Sequence, residues 1–300
     1  MCDGAPVDLF AGAVCAFGVF DGVHLGHRFL LDCARDEARR SGGRFVVVTF
    51  DVDPDERFHP DRLKKLMSNN ARIAALSELA DDVVILPFTA EFAGLAPDAF
   101  LEATFGACAP AAVHVGFDLR FGARAAGTVE DMRRWGDAHG MQVCSHELFE
   151  MEGAPITATR IRKLLEAGEI EDANRLLGRR YSLCGTVLAG RGEGADMGFR
   201  TANLVVPDML RVLGDGVYAA YALVDGVRYK AAVNVGVAAT FADRATATCE
   251  AHLLDFEGDL YGKEVELQFA AWLRPMRKFD DIDELIATVM GNIQWVRDNL

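Results

Sequence analysis

Residues 17–28, which read FGVFDGVHLGHR, decide the fold of the first half of the chain. An apolar run suited to a β-strand, residues 13–17, precedes this stretch, and a helix-like pattern over residues 29–40 follows it. At such a strand-to-helix turn, an α/β sheet presents the free N–H groups of a helix to a ligand. The stretch therefore predicts an anion-binding turn.

The residue types in this turn suit the phosphates of a nucleotide. Gly18 and Gly22 lack a Cβ, so their backbone can approach a bulky anion, and Gly26 leaves room for a nucleotide beside the backbone. His24 and His27 are three residues apart, so both can project from one side of the first helical turn. Two imidazoles above free N–H groups could hold a triphosphate and stabilise the charge that grows during group transfer.

Composition limits the possible classes of protein. With 300 residues, of which 51% are hydrophobic, the chain is long enough for two domains with substantial cores. A net charge of −14 argues against a nucleic-acid surface, and the seven cysteines form no C-x-x-C pair. The chain has no signal-peptide pattern and no apolar run of membrane-spanning length, so we expect a soluble cytoplasmic protein.

The first half alternates predicted strands and helices, which favours a parallel sheet with helices on both faces. The strands are predicted over residues 13–17, 45–50, 83–87, 112–116 and 142–145, and the helices over residues 29–41, 70–79, 97–104 and 128–139. The pattern changes near Arg180, which predicts one domain over residues 1–180 and a second over residues 181–300.

The second half consists of short strands in close succession, which favours a small antiparallel barrel. Asp225-Gly226 lies between two apolar runs and predicts a tight hairpin. Strands are predicted over residues 182–189, 216–224, 227–235, 248–255 and 264–273. An amphipathic helix over residues 282–298 closes the chain, with its apolar stripe formed by Leu285, Ile286, Val289 and Ile293.

The opening stretch carries a family resemblance. His-x-Gly-His directly after Phe-Asp-Gly-Val resembles the signature of the nucleotidyltransferase superfamily, whose fold is an α/β, Rossmann-like sheet. The longer string GVFDGVHLGHR is similar to the adenylyltransferase module of bacterial riboflavin kinase/FAD synthetases. The resemblance implies catalytic roles for His24 and His27. It implies ATP and phosphate contacts by Gly18, Phe20, Asp21, Gly22 and Gly26.

Two further segments of the first half fit the same family. Residues 116–122, GFDLRFG, resemble a family motif and imply flavin binding by Phe117, Asp118 and Phe121. Residues 157–162, TATRIR, resemble a segment that caps the ATP phosphates, with Ala158 in place of a serine. The phosphate contacts implied there are Thr157, Thr159 and Arg162.

The second half resembles the riboflavin kinase module, a β-barrel. In residues 198–204, GFRTANL, the side chains of Thr201 and Asn203 face the same side of an extended segment. They can offer hard oxygen ligands to Mg²⁺ and ATP. Residues 250–256, EAHLLDF, resemble the strand of the catalytic glutamate, so Glu250 would accept the proton of the ribityl hydroxyl.

This half also departs from the family pattern. Arg200 occupies the usual proline position, and Ala238 and Ala239 replace a typical Arg-Pro pair. Glu193 and Ala195 stand where basic residues are common, which removes positive charge near an ATP tail.

The resemblance implies a bifunctional enzyme of flavin cofactor synthesis that uses ATP and Mg²⁺, with riboflavin, FMN and FAD as its flavin ligands. The departures in the second half motivate an alternative, an FMN adenylyltransferase whose degenerate barrel only binds flavin or supports the fold. Two other hypotheses are a non-catalytic flavin-binding regulator and a nucleotidyltransferase for another acceptor.

Overall fold

The structure is a computed structural model that describes residues 7–58, 64–188, 199–207, 209–210, 213–237 and 247–300. The chain forms two compact units. The first comprises Met1–Leu63 and Ser68–Ala158, and the second comprises Lys64–Met67 and Thr159–Leu300. The helices on either side of residue 168 thus belong to the second unit, and the functional boundary near Arg180 stays a prediction.

The first unit contains the parallel five-stranded sheet that the alternating pattern predicted. Its strands lie in the order β3-β2-β1-β4-β5, and all four neighbouring pairs are parallel. The order along the chain reverses at β1, so the crevice between β1 and β4 is the switch point at which such sheets bind ligands. The strands are β1 (Val14–Phe17), β2 (Phe45–Phe50), β3 (Asp82–Leu86), β4 (Ala112–Gly116) and β5 (Gln142–His146).

Helices lie between these strands, and their ends follow local capping chemistry. The sequence pattern placed the start of the first helix at residue 29, which is wrong, because His24 caps the helix and it begins at Leu25. A capping box between Thr128 and Asp131 starts the helix predicted after β4. The helices are α1 (Leu25–Ser41), α2 (Pro54–Phe58), α3 (Asn69–Ser77), α4 (Ala90–Ala93), α5 (Pro97–Phe105) and α6 (Val129–His139). A short hairpin follows, formed by β6 (Glu150–Met151) and β7 (Ala154–Pro155).

The second unit begins with two helices and continues as a closed antiparallel barrel. The helices α7 (Ala158–Ala167) and α8 (Ile170–Leu177) are separated at Gly168, whose φ of 79° lies in the left-handed region. The barrel order is β10-β11-β12-β9-β8-β13, and β13 pairs with β10 to close it. Its strands are β8 (Tyr181–Leu188), β9 (Ala202–Val205), β10 (Gly216–Val224), β11 (Val227–Val237), β12 (Ala247–Leu253) and β13 (Glu264–Arg274).

Two sequence signals of this half are confirmed and one strand was missed. Asp225 and Gly226 have φ values of 49° and 81° and form the two-residue turn of the β10–β11 hairpin. Ile286, Val289 and Ile293 of the closing helix α9 (Ile282–Asn299) pack on the barrel, but Leu285 is not part of this apolar cluster. The missed strand, β9, has only four residues. In the described part of the chain, no helix is long and apolar enough to cross a membrane.

Candidate active sites

A cleft with a volume of about 260 Å³ lies at the switch point of the parallel sheet. Its walls come from the carboxyl ends of strands: Gly18 follows β1, Asp118 follows β4, and His146 ends β5. The first turn of α1 adds His24 and His27. In parallel α/β sheets, ligand-binding turns lie at the carboxyl ends of the strands. The turn of residues 17–28, predicted from the sequence, lies at this edge of the sheet.

The turn before α1 has an unusual backbone. Phe20, Gly22 and Val23 have φ values of 58°, 76° and 38°, all in the left-handed region. Gly22 adopts this conformation at no steric cost, whereas the β-branched Val23 is strained there. The turn folds the chain tightly between β1 and α1 and places the two histidines side by side.

The two imidazoles form a stacked pair. Their ring centroids are 3.6 Å apart with an interplanar angle of 17°, and Phe20 packs edge-on against His27 at 5.4 Å. His24 is 4% exposed and serves as the N-cap of α1, because its Nδ1 accepts a hydrogen bond of 3.3 Å from the backbone N–H of His27. In the neutral ring the proton therefore sits on Nε2, so His24 is a hydrogen-bond donor at that atom.

A side chain at residue 26 would be crowded by neighbouring protein atoms. A Cβ at this position would lie 3.0 Å from the carbonyl oxygen of Ile156 and 3.1 Å from Nδ1 of His24. Residue 26 thus lets the segment before α7 approach the capping histidine. Gly26 also lines the cleft, so its contact with a nucleotide stays a prediction.

A buried arginine that sequence reasoning missed holds the turn in place. Arg72 on α3 is fully buried, and its guanidinium donates hydrogen bonds to the carbonyl oxygens of Val19 at 2.8 Å and Phe50 at 2.7 Å. It also donates to Oγ1 of Thr49 at 2.6 Å. Burial lowers the pKa of Arg72, and the carboxylates of Asp53 and Asp21 oppose this shift. One cation thereby links the start of the His-x-Gly-His turn to the end of β2.

The other predicted residues of this site are divided between the cleft and other places. Asp118 and Thr157 line the cleft together with Gly18, Phe20 and Gly26. Asp21 and Gly22 are buried in the turn and do not line it.

The two predicted flavin-stacking rings lie apart from each other. Phe117 is 47% exposed and does not line the cleft. Phe121 is 5% exposed and belongs to the apolar core, where its ring centroid lies 5.3 Å from that of Phe100. In this structure Phe121 therefore packs the core, and Phe117 lies in the turn at residues 117–118 that follows β4.

Thr159 and Arg162 lie in the second compact unit. Nε of Arg162 donates a hydrogen bond of 2.7 Å to the carbonyl oxygen of Lys64, in the same unit. Their role in phosphate binding stays a prediction.

An aromatic wall of the cleft had no motif in the sequence. The rings of Phe29 and Phe149 stack with centroids 5.1 Å apart and an interplanar angle of 20°, and His146 lies edge-on to Phe29 at 6.0 Å. All three line the cleft. Phe29 is 39% exposed, so the wall offers a flat apolar surface to a ring system.

The barrel places two of its predicted residues, Asn203 and Glu250, in one row across neighbouring strands. Glu250 on β12 pairs with Asn203 on β9 at one side and with Asn234 on β11 at the other. The three side chains share the outer face of the barrel, since their strand neighbours Cys249 and Ala251 are fully buried. All three are partly buried.

Asn234 is a member of this row that the sequence did not reveal. Its Oδ1 is buried and has no hydrogen-bond partner among the residues that the structure describes. An unpartnered buried oxygen is costly, so its presence beside Glu250 is a sign of a ligand site. A single Asn inside an apolar strand gives no signal of this kind before its neighbours are known.

Thr201 lies next to the row and lines a second cleft, of about 940 Å³, with His252, Asp255 and Tyr261. Nδ1 of His252 and the carbonyl oxygen of Arg200 are 2.8 Å apart in a hydrogen bond. The four other departures from the family pattern, at residues 193, 195, 238 and 239, lie outside the described residues.

The first unit, with a His-x-Gly-His turn at the switch point of a parallel sheet, is a nucleotidyltransferase domain, and a six-stranded barrel follows it. Comparison with known families agrees with this division: the FAD synthetase model matches residues 8–160 and the riboflavin kinase model matches residues 177–300.

Curated relatives match over almost the whole chain. The chain is 32% identical to the bifunctional riboflavin kinase/FMN adenylyltransferase of Listeria monocytogenes over 95% of its own length and 91% of the relative's. It is 31% identical to the Bacillus subtilis protein of the same description over 92% of this chain and 88% of the relative. This chain belongs to the family of bifunctional riboflavin kinase/FMN adenylyltransferases.

A crystal structure described as a macrolide-efflux protein from Streptococcus pneumoniae has the same fold. It matches with a TM-score of 0.87 and 30% identity, and the match covers 99% of this chain and 96% of that one. Its description concerns that protein, whereas the family models and the curated relatives agree with each other on flavin chemistry.

Proposed function

We propose that this chain makes FMN and FAD in two ATP-dependent steps. The barrel transfers the γ-phosphoryl group of ATP to riboflavin, which yields FMN and ADP. The α/β domain then joins FMN to the AMP part of ATP and releases pyrophosphate. The observation that carries the proposal is that each half is matched by its own family model. In the first half His24, His27 and Asp118 line one cleft, and in the second Glu250 lies in one row with Asn203 and Asn234.

In the kinase step, Glu250 acts on the ribityl terminal hydroxyl. As this hydroxyl oxygen attacks the γ-phosphorus, the carboxylate of Glu250 takes its proton, and ADP leaves. Asn203 and Asn234, which flank Glu250 in register, orient the substrate by hydrogen bonds. The unpartnered Oδ1 of Asn234 would accept one of these bonds.

The donor set of the barrel fits Mg²⁺. Thr201 and Asn203 offer hydroxyl and amide oxygens, Glu250 offers a carboxylate, and Mg²⁺ prefers hard oxygen ligands with few from the protein. When bound, the ion neutralises charge on the phosphates of ATP. Thr201 and Asn203 would hold it, which leaves Glu250 as the proton acceptor.

The adenylyl transfer needs no nucleophile from the protein. A phosphate oxygen of FMN attacks the α-phosphorus of ATP, and pyrophosphate departs. The donor at Nε2 of His24 and the ring of His27, stacked on it, stabilise the negative charge that grows on the phosphate oxygens. The positive end of the α1 helix dipole adds to the same effect.

The cleft supplies surfaces for both substrates. Asp118 is a polar contact for the bound nucleotide, and the Phe29–Phe149 wall is a candidate for contact with flat rings. Phe117, which is exposed outside the cleft lining, stays a further candidate for flavin contact. Thr157 lies at the phosphate end, with Thr159 and Arg162 as further candidates. Domains over residues 1–180 and 181–300, and a cytoplasmic location, complete the proposal.

A time course tests the proposal. Purified full-length protein with riboflavin, ATP and Mg²⁺ should accumulate FMN first and FAD afterwards, with ADP and pyrophosphate as the matching products. FAD from supplied FMN but no FMN from riboflavin would establish the adenylyltransferase-only alternative. Flavin binding without ATP turnover would establish a regulator, and transfer of AMP only to a phosphorylated compound other than FMN would establish a different acceptor.

A further inference from the structure

Three side chains of types that commonly bind metal ions lie close together between α1 and the strands β4 and β5 of the first unit. Glu37 of α1, His114 of β4 and Cys144 of β5 place one ligand atom each within 4.8 Å of one another. His114 and Cys144 are direct cross-strand partners, so their side chains share one face of the sheet.

The two faces of β4 and β5 differ in polarity. Val113, Val115 and Val143 point to the opposite face and join the apolar core. On the cluster's face, under α1, the strands instead direct a histidine and a cysteine toward a glutamate. His114 is 3% exposed, and burying such polar groups costs free energy that an apolar residue would avoid.

We propose that Glu37, His114 and Cys144 form a binding site for a divalent cation of the zinc class. Imidazole nitrogen, thiolate sulfur and carboxylate oxygen are the ligands that Zn²⁺ takes, at about 2.0–2.3 Å in tetrahedral geometry. Nε2 of His114 already lies 2.9 Å from Oε2 of Glu37, and Sγ of Cys144 lies 3.9 Å from the same oxygen. A small outward shift of these atoms admits the ion between them, and water supplies the fourth ligand.

His146 gives the site an outer partner. Its Nε2 lies 2.8 Å from Nδ1 of His114, and the two rings are stacked with centroids 5.0 Å apart. A metal-ligating histidine commonly holds its second ring nitrogen in such a hydrogen bond, which fixes the orientation of the ring.

The ion would change the hydrogen bonds that reach the cleft. Both ring nitrogens of His114 are engaged, Nε2 with Glu37 and Nδ1 with His146. Without an ion, Oε2 of Glu37 accepts a hydrogen bond from Nε2–H of His114, and Nδ1 of His114 accepts one from Nε2–H of His146. An ion on Nε2 of His114 places the ring proton on Nδ1, which then donates to His146. The occupied site thus reverses the polarity of His146, which lines the cleft.

Cobalt(II) tests this site directly, because a thiolate ligand gives Co²⁺ a strong charge-transfer absorption. The reduced full-length protein, titrated with Co²⁺ alone, should develop this absorption with one equivalent. Cys144→Ser should abolish it, whereas Cys33→Ser, which removes another partly buried thiol from α1, should leave it unchanged. Absorption that survives in Cys144→Ser, or that is absent from the unaltered protein, overturns the proposal.

Competition with a chelating indicator gives the affinity for Zn²⁺. His146→Gln should weaken the Zn²⁺ affinity about 10- to 100-fold and keep the Co²⁺ charge-transfer absorption, as expected of an outer partner. His114→Gln should weaken the Zn²⁺ affinity more. Thermal unfolding of each variant shows that it is folded. Equal affinities in the unaltered protein and in folded His114→Gln would contradict the site, and neither readout depends on either enzymatic activity.

Discussion

The guanidinium of Arg72 donates a 2.8 Å hydrogen bond to the carbonyl oxygen of Val19, two residues after β1. The same guanidinium donates hydrogen bonds to Oγ1 of Thr49 and to the carbonyl oxygen of Phe50, at the end of β2. The turn that carries His24 and His27 therefore rests on a buried cation from another helix. Its strained backbone, with Val23 at a φ of 38°, needs such support.

Arg72→Met should destabilise the first unit by about 3–5 kcal/mol, because it leaves buried carbonyl oxygens and the carboxylates of Asp53 and Asp21 without their cation. Arg72→Lys should cost less, since a single ammonium group keeps the charge but cannot reach both strand ends as the planar fork does. Chemical denaturation with separate probes for the two units measures the difference. Arg39→Met, on the exposed face of α1, should change stability by less than about 0.5 kcal/mol. Equal stabilities of Arg72→Met and Arg39→Met would contradict this role.

His24→Asn should separate helix capping from catalysis. Asparagine is a favoured N-cap residue, so it can replace Nδ1 of His24 as the acceptor for the N–H of His27 and keep α1 stable. It does not place a donor where Nε2–H of the imidazole lies, so FAD formation from FMN should fall by roughly 10²–10³. His27→Ala should reduce the rate of FAD formation by a similar factor.

In both histidine variants, FMN formation from riboflavin should stay unchanged, because it belongs to the barrel. The two rates are measured separately by supplying either riboflavin or FMN. A folded His27→Ala protein with an unaltered rate of FAD synthesis would refute the assignment of this domain.

Much of the fold follows from local sequence signals. Hydrophobic periodicity predicted all five strands of the parallel sheet, and Asp225-Gly226 predicted its hairpin, because each signal lies within a few neighbouring residues. The strand β9 escaped this reasoning, since a strand of only four residues depends on its barrel partners. The helix start at Leu25 was missed because a histidine is an uncommon cap.

The site was predictable only where residues are close in sequence. His24 and His27 lie in one turn, so their spacing alone indicates a pair. Arg72, Asn234 and His146 gain their roles from residues that are between 16 and more than 50 positions away, as the pairings of Arg72 with Val19 and of Asn234 with Glu250 illustrate. Such relationships arise from tertiary packing, which periodicity does not encode.

Asn234→Leu should impair the kinase without harming the fold. The buried Oδ1 has no partner among the described residues, so an apolar side chain of similar size should leave the stability of the barrel unchanged or raise it. FMN formation should fall about 10- to 100-fold, as expected for the loss of a hydrogen bond of about 1.5–3 kcal/mol to a charged or strongly polarised ligand group. Thermal unfolding and the riboflavin kinase rate are the two readouts. A marked loss of stability with normal turnover would make Asn234 a purely structural residue.

Glu250→Gln should abolish the conversion of riboflavin to FMN and leave the conversion of FMN to FAD near its original rate. Glutamine keeps the size and hydrogen bonding of glutamate beside Asn203 and Asn234, but it cannot take the ribityl proton. Base catalysis is worth about 10²–10⁴ in rate, so the loss should be easy to measure. Glu266→Gln is the matched control, because Glu266 also lies partly exposed on the barrel, on β13, away from the row of Asn203, Glu250 and Asn234. Normal phosphorylation by Glu250→Gln would make Glu250 a structural strand residue. Absence of FMN formation by the unaltered chain would instead identify a degenerate kinase. Ala238 and Ala239, which replace a typical Arg-Pro pair, would then be the first residues to change back to that pair.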